Sequence, residues 1–230
     1  PDPVRPGRTF RTAAVPPDAP VDTATDAWPA LIWIAGAMAV LARLASGFTR
    51  RAALARTCTP VDRGPLADKV ERYRLAMGIR RRVQVLEAPS EMMPATWGLL
   101  RPRVLLPPSA ATWSTDRLRL VLVHELSHVV RFDTLTAAIT FAATALVWWH
   151  PLVWVAARRT QLERERACDD AVIRSGLTPS RYAEELLSLA RTLPAPFAQR
   201  LALAMAQPLR LERRLDAILD PRQRRTGTSH

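Results

Sequence analysis

The stretch Asp116–Asp133, DRLRLVLVHELSHVVRFD, constrains the fold more than any other part of the chain. Ser114 can cap its start, no Gly or Pro interrupts it, and apolar residues lie almost all round it, which predicts a buried helix. Inside it, His124, Glu125 and His128 form an H-E-x-x-H pattern. Residues four apart share one helix face, so both imidazoles can hold one metal ion while Glu125 reaches a water on that ion. The alternative is a pair of core histidines hydrogen-bonded to backbone.

The composition favours one sizeable domain and argues against nucleic-acid binding. With 230 residues, of which 48% are apolar, the chain can bury a real core. The net charge of +12 comes from arginines spread along the chain, without interleaved aromatic residues or a recognisable nucleic-acid motif. Arginine also marks the cytoplasmic side of a membrane, which is the better account of this charge. The two cysteines, Cys58 and Cys168, do not suggest a disulfide framework and fit a reducing compartment.

The N-terminal region predicts a tail followed by a membrane span. Residues 1–26 are rich in Pro, Asp, Thr and Ala, and we expect them to be disordered or extended. Residues 27–48 contain an apolar run that reaches the length of a transmembrane helix if Arg43 snorkels at its end; a buried helix is the alternative. Arginines are concentrated after this run, which predicts that the rest of the chain is cytoplasmic. They are Arg43, Arg50, Arg51 and Arg56.

A small sheet is predicted between the span and the H-E-x-x-H helix. Pro65–Met77 has the apolar spacing of an amphipathic helix, and Val83–Glu87 alternates like a strand. The segment PATWGLLRPRVLLPP then contains short apolar runs divided by Gly98 and Pro102, as in a hairpin. The sequence therefore predicts an α+β fold that is mostly helical.

A third metal ligand is needed, because catalytic zinc sites use three protein ligands and one open position. The segment QLERERACDD lies on a helix that Pro151 can start, and in it Glu165 and Asp169 share one face. Glu165 suits the role of ligand and Asp169 that of an acid that orients a ligating histidine. Glu163 and a Cys168 thiolate are competing ligands. The alternative for the whole segment is a solvated helix with local ion pairs.

The segment between the two halves of this site predicts a helical hairpin. Residues 134–157 contain no charged side chain and are long enough to cross a bilayer, but one crossing would leave Glu165 on the far side from the histidines. A hairpin over 134–165 that turns near Pro151 avoids this, either dipping into the bilayer or packing on the first span. His150 lies at the turn, where we expect a cap or a polar tip residue.

Four segments together resemble the BlaR/MecR-type membrane metallopeptidases, and more loosely the HtpX-type and CAAX-prenyl membrane proteases. They are PATWGLLRPRVLLP, HELSHVVRFD, WWHPLVWVAARR and ERERACDDAVIRSG, within residues 60–193. The resemblance implies a gluzincin-like zinc peptidase domain there. It implies His124, His128 and Glu165 as Zn²⁺ ligands, Glu125 as general base, Asp169 as support for a ligating histidine, and Ala95, Thr96 and Trp97 as an edge strand that pairs with substrate.

The predicted function is a zinc endopeptidase of the bacterial inner membrane, with its catalytic domain in the cytoplasm. The resemblance suggests regulatory proteolysis of a protein or peptide, such as a transcriptional repressor or the chain itself. Tyr182, on the next predicted helix, is a candidate oxyanion donor, and residues 194–230 predict a basic helical segment. No penicillin-binding domain follows Arg225, so beta-lactam sensing is not carried over. The alternatives are an inactive, metal-binding membrane transducer and an Arg-rich nucleic-acid-binding helical module.

Overall fold

A computed structural model describes residues 27–191 and 207–220, and it confirms a mostly helical α+β fold with a small sheet. The chain divides into two compact units, 1–35 and 36–230. The helices are α1 (Trp28–Thr57), α2 (Pro65–Ala76), α3 (Thr115–Val130), α4 (Asp133–Leu146), α5 (Pro151–Arg174), α6 (Pro179–Arg191) and α7 (Gln207–Leu219), and the strands are β1 (Thr59–Pro60), β2 (Gln84–Glu87), β3 (Ala95–Trp97) and β4 (Arg103–Leu106). The predicted tail, 1–26, and most of 194–230 apart from α7 lie outside the described residues.

The sheet has the order β1-β2-β4-β3, so β3 forms one edge. The predicted hairpin is confirmed, because β3 and β4 pair antiparallel with Thr96 opposite Val104. Gly98 has a φ of 96° between them, and a Cβ there would overlap the Arg101 carbonyl. The parallel pairing of β2 with β4 was not predicted. One face of the sheet packs on α3, and this contact brings the edge strand beside the H-E-x-x-H helix.

The helix that carries H-E-x-x-H ends earlier than the sequence predicts. It begins as expected, with Ser114 Oγ accepting a hydrogen bond from the Arg117 amide at 3.2 Å. It stops at Val130 rather than Asp133 because Phe132 adopts a left-handed conformation with a φ of 55°. Arg81 holds this turn: its guanidinium lies 4.1 Å from the centre of the Phe132 ring and donates to the Val129 carbonyl at 2.8 Å. The chain therefore bends by 54° into α4.

The next two helices, α4 and α5, pack against each other, and α5 also packs on α3. His150 caps α5, its Nδ1 accepting from the Leu152 amide at 3.3 Å, and Pro151 occupies the first turn. Around the turn, many large apolar side chains are exposed. They are Ile139, Phe141, Leu146, Trp149, Leu152, Trp154 and Val155. By length and composition, α1 can cross a bilayer, and α3 with α4 can do so as one broken span.

The close approach of Gly36 to Trp148 gives a test of how the α4–α5 turn packs on α1. A Cβ at Gly36 would overlap the Trp148 indole, whereas a Cβ at Gly47, in the same helix, would meet nothing within 4 Å. Alanine is the better helix former by about 1 kcal/mol, so Gly47→Ala should stabilise the protein. Gly36→Ala should destabilise it by about 1–3 kcal/mol through overpacking. Thermal unfolding in detergent measures both, and equal shifts would contradict the packing.

Candidate metal centre

The predicted ligands converge between α3 and α5. His124 and His128 stand one turn apart on α3 with ring centroids 5.2 Å apart, and Glu165 faces them from α5. Glu165 Oε2 lies 3.8 Å from His124 Nε2, and donor atoms of all three residues lie within 4.8 Å of one another. Ligands at 2.0–2.2 Å from a tetrahedral zinc ion would be roughly 3.4 Å apart. The three residues therefore fit a zinc ion after small side-chain movements.

Each imidazole is held by a buried carboxylate on its other nitrogen. His124 Nδ1 lies 3.2 Å from Asp169 Oδ1, and His128 Nδ1 lies 2.7 Å from Asp133 Oδ2. Both carboxylates are almost fully buried. With Nδ1 engaged in this way, Nε2 is the nitrogen that each histidine can offer to an ion. Metal-ligating histidines commonly have this arrangement, because the carboxylate fixes both the tautomer and the ring orientation.

Asp133 is a site residue that the sequence reasoning missed. The sequence predicts it as the last residue of the H-E-x-x-H helix, where a residue five positions after His128 would point away from that histidine. The left-handed turn at Phe132 ends that helix, and Asp133 begins α4 with its carboxylate against His128. The signal available in the sequence was an acidic residue shortly after the second histidine. Nothing in the helical periodicity predicted the turn.

A second layer of contacts surrounds Asp169. Arg214, on α7, donates through Nε to Oδ2 at 3.0 Å and through a terminal nitrogen to Oδ1 at 2.6 Å. Another terminal nitrogen lies 3.7 Å from Glu165 Oε2. Tyr182, which is completely buried, donates to Asp169 Oδ1 at 2.6 Å and lies 3.2 Å from His124 Nδ1. The Tyr182 hydroxyl thus lies on the Nδ1 side of the His124 ring, whereas Glu165 lies on the Nε2 side.

Arg214 was also missed, although the sequence contained a signal for it. In α7, residues 211, 214, 215 and 218 follow the spacing of one helix face. Leu211, Leu215 and Ile218 pack against the core, so Arg214 lies on the apolar stripe of the helix. A charged residue on such a stripe needs a buried partner, which here is Asp169.

The electrostatics of the site follow from these pairs. Burial lowers the pKa of His124, but hydrogen bonds to Asp169 and Glu165 outweigh it and raise the pKa to about 9. Burial opposes the ionised form of Glu165, yet His124 and Arg214 lower the pKa of this carboxyl to about 2. Asp169 likewise has a lowered pKa despite its burial, chiefly because of His124 and Arg214. Glu165 and Asp169 are therefore held in the ionised form by their positive neighbours.

A second cluster consists of His128, Asp133 and Cys168. Cys168 Sγ lies 3.3 Å from His128 Nδ1, and the side chain is fully buried. Burial, followed by the charge of Asp133, raises the pKa of this thiol. Since zinc binds the thiolate, the predicted competition from Cys168 is disfavoured on chemical grounds. Glu163, the other competitor, is exposed and accepts a hydrogen bond from Arg166 at 2.8 Å.

Glu125 connects the cluster to the edge of the sheet. Its carboxylate is buried and accepts a hydrogen bond from the Thr96 hydroxyl at 2.7 Å. Thr96 is the central residue of edge strand β3, so the predicted substrate strand lies directly beside the predicted base. A cavity of about 300 Å³ opens between them and the predicted ligands. This space can receive an extended peptide with one carbonyl near the histidines.

Comparisons with known proteins identify the family of this chain. A family model described as BlaR1 peptidase M56 matches residues 8–218. The chain belongs to this family. Regulatory protein BlaR1 of Bacillus licheniformis is 33% identical over 94 residues, which are 41% of this chain but only 16% of that protein. Membership of this family confirms the resemblance to the BlaR-type peptidases.

The contact between Arg214 and Asp169 generates a prediction about the M56 site. Arg214→Lys keeps a positive charge but loses the two parallel hydrogen bonds to Asp169, so His124 should be held less firmly. We expect metal affinity, measured by competition with a chelator, to fall by about 10–100-fold. Arg191→Lys, at an exposed position in the last turn of α6, is the matched control and should retain the wild-type affinity. Equal affinities in the two variants would show that Arg214 does not position the site.

Proposed function

We propose that this chain is the zinc-dependent endopeptidase part of a bacterial membrane protein, gluzincin-like in its site and active on the cytoplasmic side. The observation that carries the proposal is the convergence of His124, His128 and Glu165 beside Glu125. Two nitrogen donors and one carboxylate are a ligand set that catalytic zinc uses, and the carboxylates behind both histidines suit that role. A zinc ion held there would lower the pKa of a bound water and polarise a substrate carbonyl.

Glu125 is the proposed general base. It follows His124 directly on α3 and points into the cavity that the three proposed ligands line. It would accept a proton from the attacking water and deliver it to the leaving nitrogen of the scissile peptide. The Thr96 hydroxyl, which donates to Glu125 Oε2, would hold that carboxylate in place. We assign Tyr182 a positioning role at Asp169, because its hydroxyl is engaged there, in place of the predicted oxyanion role.

The proposed substrate is an extended segment of a protein that adds a strand to β3. Residues Ala95–Trp97 form an edge of the sheet within the described residues and line the cavity, which suits main-chain pairing with a peptide. Membership of the BlaR1 peptidase family supports a regulatory role. We propose a transcriptional repressor or the chain itself as the protein cleaved.

The proposed membrane attachment rests on α1 and on the exposed apolar turn between α4 and α5. The α1 helix has the length and composition of a span, and arginines follow its apolar part. The close approach of Gly36 to Trp148, both in the second compact unit, joins the turn to α1 at Gly36, which supports a hairpin that dips into the bilayer.

The base assignment is tested by Glu125→Gln. The amide cannot accept the proton of the attacking water, so the variant should bind zinc and fold like the wild type while peptide cleavage falls by about 10²–10⁴-fold. Cleavage of an unstructured protein substrate in detergent, together with zinc quantification, gives both readouts. A variant that still cleaves at nearly the wild-type rate would exclude Glu125 as base. A wild-type protein that binds zinc but never cleaves would favour the inactive transducer.

The ligand assignment is tested by comparing two carboxylates on α5. Glu165→Ala removes a proposed ligand and should abolish tight zinc binding. Glu163→Ala is the matched control, because Glu163 is exposed and pairs with Arg166. Asp169→Ala should fall between them, with affinity lower by about 10–100-fold. Loss of zinc in Glu163→Ala but not in Glu165→Ala would refute the proposed ligand set.

The topology is tested with reporters fused after Arg56 and after Ser175. Both should report the cytoplasm, because the hairpin returns α5 to the side on which α1 ends. Reporters on opposite sides would mean that the apolar segment crosses the membrane once, which is incompatible with the hairpin.

A further inference from the structure

A second cavity lies next to the proposed metal centre, at the base of the α4–α5 hairpin. It has a volume of about 350 Å³. Arg131, Arg159 and Arg164 line it together with the hydroxyl-bearing Thr136 and Thr160. Asp133 and Glu163 also line it, so three guanidinium groups share the cavity with two carboxylates and its lining keeps a net positive charge. The cavity is therefore a candidate anion site.

The acidic side chains at this cavity are already engaged. Asp133 hydrogen-bonds to His128, and its carboxylate also lies 3.6 Å from Arg131 Nε and 3.9 Å from Arg164 Nε. Glu163 accepts a hydrogen bond from Arg166. Arg164 Nε is buried and has no hydrogen-bond partner among the described residues, since Asp133 Oδ2 is 3.9 Å away. Arg159 is exposed and makes no ion pair with any residue in the described ranges. Asp133 therefore balances part of the charge of Arg131 and Arg164, whereas the Arg164 Nε–H group has no hydrogen-bond acceptor among the described residues and Arg159 has no ion-pair partner there.

The position of the cavity identifies the class of anion. Residues 134–157 carry no charge, and the apolar side chains around the hairpin turn are exposed. Arg159 follows the turn at Pro151 by eight residues, or about 12 Å along a helix. Half the hydrocarbon thickness of a bilayer is roughly 15 Å. A hairpin inserted into one leaflet would therefore bring Arg159 close to the level of the lipid phosphates.

We propose that this cavity binds the phosphate of an anionic phospholipid. The guanidinium groups of Arg131, Arg159 and Arg164 hydrogen-bond its oxygens, while the acyl chains lie along the apolar surface of the hairpin. The proposal rests on the membrane attachment described above and adds a specific lipid site to it. Asp133 and Arg164 line both cavities, so the bound headgroup lies one side chain away from His128.

The test uses the full chain in vesicles of phosphatidylcholine mixed with an equal amount of phosphatidylglycerol. After extraction in mild detergent, native mass spectrometry counts the lipids that each protein molecule retains. The wild type should retain phosphatidylglycerol in preference to phosphatidylcholine. Arg159→Gln should weaken this retention about fivefold, the effect of one arginine at an anionic surface. Arg158→Gln is the matched control, being exposed, adjacent and outside the cavity, and should behave as the wild type.

Three outcomes would overturn the lipid site. They are equal retention by the Arg159 and Arg158 variants, equal retention of the two lipids by the wild type, and removal of phosphatidylglycerol by inorganic phosphate at constant ionic strength. The last would assign the cavity to a free anion. Zinc content and peptide cleavage are measured on the same samples. If zinc content and peptide cleavage are normal but phosphatidylglycerol is not preferred, the lipid site is rejected and the peptidase proposal stands. If phosphatidylglycerol is preferred but the protein neither binds zinc nor cleaves peptides, the peptidase proposal is rejected and the lipid site stands.

Discussion

Hydrogen bonds between buried carboxylates and the two imidazoles hold this site together. Asp169 and Asp133 lie on different helices, yet each pairs with Nδ1 of a histidine on α3. An ionised carboxylate left unpaired in the interior would be strongly destabilising, typically by about 3–5 kcal/mol. The two carboxylate–histidine pairs therefore fix the positions of α4 and α5 on α3. Apolar packing alone would not fix these positions, because the hydrophobic effect is non-directional. The same bonds orient both rings in advance, so little rearrangement is needed to hold an ion.

The turn between α3 and α4 shows how local strain serves the site. A left-handed conformation costs a residue such as Phe132 about 1–2 kcal/mol. Arg81 offsets this cost by stacking on the Phe132 ring and by donating to the Val129 and Leu99 carbonyls. A continuous helix would avoid the strain but would carry Asp133 away from His128. The same turn directs the chain into α4, the first helix of the α4–α5 hairpin. One bend therefore both positions Asp133 and begins the apolar segment.

The sequence predicted those parts of the site that follow from helix periodicity. His124 and His128 share a face because they are four apart, and the same spacing made Asp169 a companion of Glu165. The β3–β4 hairpin was also predictable, because Gly98 and Pro102 divide two apolar runs, whereas the edge position of β3 was implied only by the family resemblance. The contacts of Asp133 and Arg214 were not predictable in this way. They depend on where a helix ends and on how a distant helix docks, and both are settled by tertiary packing.

The charges of the site link its proton chemistry to its affinity for a cation. Arg214 donates hydrogen bonds to Asp169, whereas it lies 3.7 Å from Glu165, and Glu125 accepts only from the neutral Thr96 hydroxyl among the hydrogen bonds found for it. Burial alone would keep His124 neutral, yet neighbouring carboxylates raise its pKa to about 9, so a proton on this ring supplies the missing positive charge. A divalent ion held by the proposed ligands would supply this positive charge in place of the proton. Proton and ion would therefore compete for His124, and the carboxylates that raise its pKa would also favour the ion.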